Sequence, residues 1–343
     1  MTERILDISD RPAYLSVRNE LLVVRFASVA AILDRQPNGG EDSLSRPLGT
    51  AATESAGEHD APYVQRGKRR DEVTMPLTDL AALIVSHPQV TYTHAVLSGL
   101  AAAGAIFVAC NEKHLPAAML LPLVSHSTQT ERFAKQAALP LPTRKRLWQQ
   151  IVRAKLLAQG RLLEERTGRD WGLRLMAGRV RSGDAGNLES QAARAYWQAL
   201  FSENFRRDPE GEGVNALLNY GYAVVRAIVT RALCGAGLHP SFGVHHHNRY
   251  DAFCLADDLM EPFRPLVDRV VAKLRDERGS EVTVDKDSKR AILEGLLGRF
   301  TANQESRTLF DWASRAACSL AAVIEGREEK LNLSDLTPDT CNL

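Results

Sequence analysis

Residues 105–119 read Ala105-Ile-Phe-Val-Ala-Cys110-Asn-Glu-Lys-His-Leu-Pro116-Ala-Ala-Met119. The first six form a short apolar run with β-branched and aromatic side chains, the pattern of a buried strand. His114 and Pro116 mark a hinge, and after about Met119 the strand signals stop. The chain therefore divides here. The fold class expected is α+β with two domains: a small strand-rich unit over 1–110, a linker over 111–118, a larger all-α unit over 119–330, and a loose tail over 331–343.

Upstream of the hinge, Ile5–Ser9 and Tyr14–Arg18 alternate apolar and polar residues, and Leu21–Phe26 is a more buried strand. Asn19-Glu20 between the last two reads as a turn, so the chain opens as a β-meander. From about Arg35 to Glu72 Gly, Pro, Ser and Thr dominate and Tyr63 is the only aromatic. Such a segment buries little apolar surface, which predicts a long flexible insertion over 35–72. Leu80–Val85 restores a buried strand, and His94–Ala103 reads as a short helix closed by Gly104.

Downstream, apolar residues recur at helical spacing. Helices are expected over 144–165, from Asn187, over 215–234 before Gly235 and Gly237, from the middle of the 250s to Arg278, over 286–300 and over 308–324. Residues 131–155 carry Arg132, Lys135, Arg144, Lys145, Arg146, Arg153 and Lys155 against one acid, Glu131. This is the strongest basic stretch in the chain, and it reads as a solvated face or a phosphate-binding face.

Composition bounds the function. The 343 residues are 44% hydrophobic and 25% charged, with net charge +1, so no whole-molecule field draws the chain to nucleic acid. The five cysteines are scattered without a CxxC pair, which argues against a disulfide framework or structural zinc and for a reducing, cytoplasmic setting. The N-terminus lacks a signal-peptide core, and no run approaches a membrane span. Phosphate-loop, GxSxG and HExxH signatures are absent.

Chemistry concentrates in Gly243–Pro265, GVHHHNRYDAFCLADDLMEPFRP. Three histidines precede Asp257, Asp258 and Glu261. On a helix, Glu261 shares a face with either aspartate. Oxygen-rich sets with one imidazole suit divalent cations, while acids in a first helical turn also simply favour the helix dipole. Both readings stand on these residues alone. Upstream, Glu189 opens a helix and reads equally as a dipole-stabilising acid.

Set in order, Asn187-Leu-Glu189, Ala192-Ala193, Tyr196-Trp197, Asn215–Tyr222, Gly243-x-x-His246 and Leu255–Pro265 closely resemble the CRISPR-associated integrase and endonuclease family, the Cas-one proteins. The run Leu-Met-Glu-Pro-Phe-Arg-Pro resembles the type II branch, subtype II-C. His94, Cys110–Pro116 and Lys145–Trp148 also resemble it. The resemblance implies an N-terminal β-domain and a catalytic C-terminal all-α domain. It implies magnesium or manganese held by Glu189, His246 and Glu261, with Asp258 in support. It implies 3′-hydroxyl ends of new spacer DNA joined to a CRISPR repeat by transesterification, with Arg144, Lys145, Arg146 and Arg153 on DNA. Partners implied are a homodimer, the Cas-two protein and the Cas-nine effector. The competing reading is a non-catalytic helical DNA-binding scaffold of the same fold. The long insertion, and the flanking His245 and His247, depart from the family pattern.

Overall fold

The computed structural model describes residues 4–26, 72–111, 116–122, 125–279 and 281–339. All of the proposed insertion except Glu72, and linker residues 112–115, lie outside them. The described chain has a strand-rich N-terminal region and a helical C-terminal region.

Two four-stranded sheets make the N-terminal region. One runs β4 (Glu72–Pro76), β3 (Leu21–Phe26), β2 (Ala13–Arg18), β6 (Val90–Tyr92). β2 and β3 form a two-residue hairpin at Asn19-Glu20, whose φ values of 50° and 62° are those of a primed turn. The other runs β1 (Arg4–Ile8), β5 (Leu80–Val85), β7 (Ile106–Cys110), β8 (Pro116–Leu120). The expected opening meander is thus corrected, because β1 leaves β2 and pairs in parallel with β5. The hinge differs too: Pro116–Leu120 folds back antiparallel onto β7, making part of the expected linker a sheet edge.

This second sheet has two covered faces. All six residues of β5 are buried, which is why that run shows no alternation. Ile106 and Val108 belong to the core of the helical region, while Phe107 belongs to a smaller core with Leu15, Leu22 and Leu83. Helix α1 (His94–Ala102) closes the smaller core with Val96 and Leu100.

The helical region contains α2 (Gln129–Ala137), α3 (Leu141–Thr167), α4 (Leu173–Arg179), α5 (Leu188–Leu200), α6 (Val214–Gly235), α7 (Cys254–Met260), α8 (Arg264–Arg278), α9 (Lys286–Leu297) and α10 (Leu309–Ile324). Helices α2 and α4 have no counterpart in the sequence reading. α2 is short and mostly polar, and α4 is only seven residues long, too short for an apolar period to show. α6 is buried along most of its length and packs against α8 and α10 on one side and β5 and β7 on another.

Strand signals do not stop at Met119. β9 (Arg299–Ala302) and β10 (Glu305–Thr308) form a hairpin whose Asn303-Gln304 turn has φ values of 51° and 65°. Phe300, read as the end of a helix, is a buried strand residue. The tail is also corrected: β11 (Thr337–Pro338) pairs with β9, Leu336 is buried, and Arg161 reaches the Asp335 carboxylate. A two-residue strand containing proline offers no periodicity to read.

Candidate metal and phosphodiester site

The site is assembled from three helix ends and one loop. Gly183-Asp184-Ala-Gly186 precedes α5. The buried Asp184 carboxylate accepts the backbone N–H groups of Leu188 and Glu189, each at 3.0 Å. This carboxylate satisfies two of the free amides at the helix start and fixes Glu189 on its first turn.

Glu261 sits at a break. Pro262 has no N–H for the Asp258 carbonyl and Pro265 has none for the Glu261 carbonyl. Those carbonyls accept instead from Glu261 N and Arg264 N, three residues on. The helix expected to reach Arg278 is therefore divided into α7, one 3-10 turn over Glu261–Phe263, and α8.

The loop 243–247 is wrapped around Asp258. That carboxylate is 0% exposed. Its Oδ2 accepts from Val244 N at 2.6 Å and His245 N at 2.9 Å, and its Oδ1 accepts from His246 N at 3.2 Å. Oδ1 also lies 2.6 Å from His246 Nδ1. Asp258 is thereby committed to the loop, and it orients the imidazole so that Nε2 is left for a ligand. The Asp258 hydrogen bond raises the His246 pKa, against a smaller opposing effect of burial. Arg144 donates to Gly243 O at 2.7 Å and secures the start of the loop. The His245 ring stacks on buried Trp148 at 4.1 Å between centroids, and the His246 ring meets the same indole edge-on. His245 loses basicity through burial, and His247 Nδ1 lies against the carbonyl of His245. Asp257 points elsewhere: Arg226 of α6 clasps it at 2.6 and 2.8 Å.

Lys155 of α3 joins the two glutamates. Its Nζ lies 2.7 Å from Glu189 Oε1 and 2.6 Å from Glu261 Oε2. Arg264 holds the other oxygen of Glu261 at 2.9 Å. Burial alone would raise the Glu261 carboxyl, but Arg264 and Lys155 outweigh it and hold it at about 2. Burial acts to lower Lys155, yet the two carboxylates outweigh it and raise its pKa. The Lys155–Glu261 contact is short but poorly aligned for a hydrogen bond, so Glu261 Oε2 is a buried oxygen without a well-aligned donor. Such an oxygen, a second carboxylate and an imidazole with a free nitrogen are a donor set that fits a divalent cation. As they stand, with the ammonium between the acids, no three His, Cys, Asp or Glu side chains among the described residues are grouped to hold an ion.

Asp268 braces this arrangement from below. It accepts from Tyr196 of α5 at 2.7 Å and from Tyr222 of α6, and Arg264 lies over the Tyr222 ring at 4.6 Å.

The basic stretch does not form one face. Arg132 pairs with Glu325, Lys135 with Glu131, Arg144 with the loop and Lys155 with the acids. Lys145, Arg146 and Arg153 remain exposed on α3 without an ion pair among the described residues. Sequence reasoning counted Lys155 only as charge and gave Trp148 no role. The signal for Lys155 was its position: it falls three and four residues after Val152 and Ile151, on the buried stripe.

Comparison with known proteins agrees with this architecture. Residues 57–294 match the family model for the CRISPR associated protein Cas1. The CRISPR-associated endonuclease Cas1 of Neisseria meningitidis serogroup C (strain 8013) is 36% identical over 269 residues, 77% of this chain and 88% of that protein. A casposase bound to integration product superposes with TM-score 0.70 at 17% identity, over 97% of this chain and 93% of its own. A chain of a Cas6-RT-Cas1–Cas2 complex gives TM-score 0.68 at 16% identity, over 98% of this chain and 36% of its own. The family match takes in the helices that carry Glu189, His246 and Glu261, the relative shares 36% of its residues over most of both chains, and on that footing the chain belongs to the CRISPR associated protein Cas1 family.

Proposed function

We propose that this chain is the metal-dependent endonuclease and integrase of CRISPR adaptation, joining 3′-hydroxyl ends of new spacer DNA to a CRISPR repeat. The observation that carries the proposal is the convergence of Glu189 and Glu261 on one cation position. His246, whose Nδ1 is held by Asp258, lies near enough for the Glu261 charge to raise its pKa. Magnesium or manganese held by Glu189, His246 and Glu261 supplies neutralisation of the charge that develops on the phosphodiester oxygens. Asp258 keeps His246 in the tautomer that offers Nε2. Arg264 keeps Glu261 ionised. Exposed Lys145, Arg146 and Arg153 on α3 neutralise backbone phosphates, and Arg144 acts on DNA indirectly through the loop it secures. No protein nucleophile takes part, because the attacking oxygen belongs to the incoming DNA end, and the oxygen it displaces stays on the repeat strand.

The likeness to a chain of a Cas6-RT-Cas1–Cas2 complex supports Cas2 as a partner, and a cytoplasmic homodimer working beside Cas9 of a type II-C system completes the proposal. Among the described residues no helix is long and apolar enough to cross a membrane. The test is strand joining in vitro with Cas2, spacer DNA and a repeat. Glu189→Gln and His246→Ala are each expected to abolish it while circular dichroism stays that of the wild type. Wild-type rates in both variants would overturn the proposal.

A further inference from the structure

We propose that the Lys155 ammonium is the resident counter-ion of the Glu189–Glu261 pair, and that a divalent cation enters the site by displacing it. The inference rests on the metal site of the preceding section and adds what that site must give up to load.

A hard divalent cation takes carboxylate oxygens at about 2.0–2.6 Å. Lys155 Nζ stands 2.7 Å from Glu189 Oε1 and 2.6 Å from Glu261 Oε2, so it fills the volume a shared ion needs. An ammonium and a metal cannot both lie between the same two oxygens, since they compete for the same lone pairs and repel each other. Two carboxylates this close repel unless a positive charge lies between them. With Lys155 side-chain exposure at 12% and that of Glu261 at 7%, water screens them little.

Lys155 donates a well-aligned hydrogen bond to Glu189 but meets Glu261 Oε2, at 2.6 Å, at angles poor for one. The ammonium is therefore more readily replaced by a cation at Glu261 than at Glu189. Arg264 holds the opposite oxygen and stays in place, so Glu261 keeps its orientation through the exchange. Lys155 thus makes the metal-free site a stable, folded state and weakens metal binding by the same interaction.

The test compares wild type, Lys155→Met and Lys155→Arg by calorimetric titration with Mn²⁺, and by thermal midpoint in chelator and in Mn²⁺. Lys155→Met is expected to melt lower in chelator and to bind Mn²⁺ roughly ten-fold or more tightly than wild type. Lys155→Arg keeps the charge and is expected to bind no more tightly than wild type. Equal or weaker Mn²⁺ binding by Lys155→Met, with binding by wild type intact, overturns the lysine inference alone. Absence of binding in both overturns the metal site as well. If Lys155→Met is unfolded in chelator, recovery of its fold by Mn²⁺ supports displacement. A fold lost equally in both conditions overturns it.

Discussion

Asp258 and Asp268 show how far apart two buried aspartates can stand in role. Asp258 gathers three amides and an imidazole. Asp268 accepts from two tyrosine hydroxyls, and burial pushes its pKa from 3.8 up to about 6 despite those hydrogen bonds and the charges of Arg264 and Lys155. A carboxyl whose folded pKa is raised keeps its uncharged stability below the unfolded value and loses it as pH rises through the folded value. Stability is therefore expected to fall between about pH 4 and pH 6–7 by on the order of 2–3 kcal/mol relative to Asp268→Asn, which lacks this titration. Urea unfolding of both proteins across that range measures it, and parallel curves would refute it. At this scale the sequence was partly legible. Glycine spacing within the family motif singled out His246 from its neighbours. Helical spacing places Lys155 on a buried stripe, but nothing local names the partners of Asp268 or Lys155, because they lie on other helices.

At the scale of elements, most helices and strands were readable because their apolar periods are regular, as in α6 and α10. The misses have physical causes. β1 pairs with a strand more than seventy positions on, which no local pattern encodes. The loop 243–247 owes its shape to a missing side chain. A Cβ on Gly243 would stand 2.3 Å from His246 O, 2.9 Å from Cys254 Cβ and 3.1 Å from Asp258 Oδ2. The first neighbour is backbone and cannot turn aside, so the loop must open. Gly243→Ala is expected to cost about 1–3 kcal/mol and to eliminate strand joining. Gly178→Ala on α4, where nothing lies within 4 Å, should change neither. Thermal melts and integration assays on the pair check this, and normal strand joining by Gly243→Ala would count against the loop's role.

The whole molecule is held by its shared sheet. Tyr220 of α6 donates to Asp7 of β1 at 2.6 Å, and Arg231 of the same helix donates to Gly104 O at 2.9 Å. Tyr220→Phe leaves the Asp7 oxygen short of a donor, and a loss of about 1–3 kcal/mol is expected. Combined with Asp7→Ala, the total loss should be smaller than the two separate losses added, since both changes delete one bond. Denaturant titration of the four proteins gives the coupling, and strict additivity would disprove it. The change from strands to helices near residue 110 was visible in the sequence. That the helices pack on a sheet from the other side of that boundary was not, because a strand buried on both faces looks the same whichever core it serves.

Pro262 and Pro265 carry a consequence that reaches back before the fold exists. A pyrrolidine ring holds φ near −65° in the unfolded chain as well as in the native one. The residue before each proline is disfavoured in helical geometry while the chain is open. Glu261 and Arg264, the two residues concerned, are nonetheless helical in the fold, at φ −51°, ψ −43° and φ −54°, ψ −41°. The rings thus spare the prolines themselves some loss of freedom, while the carboxylate beside them is held against its own preference in the open chain. The angle of the site is imposed by packing and by the Arg264 hydrogen bond, and its cost is met by the rest of the fold.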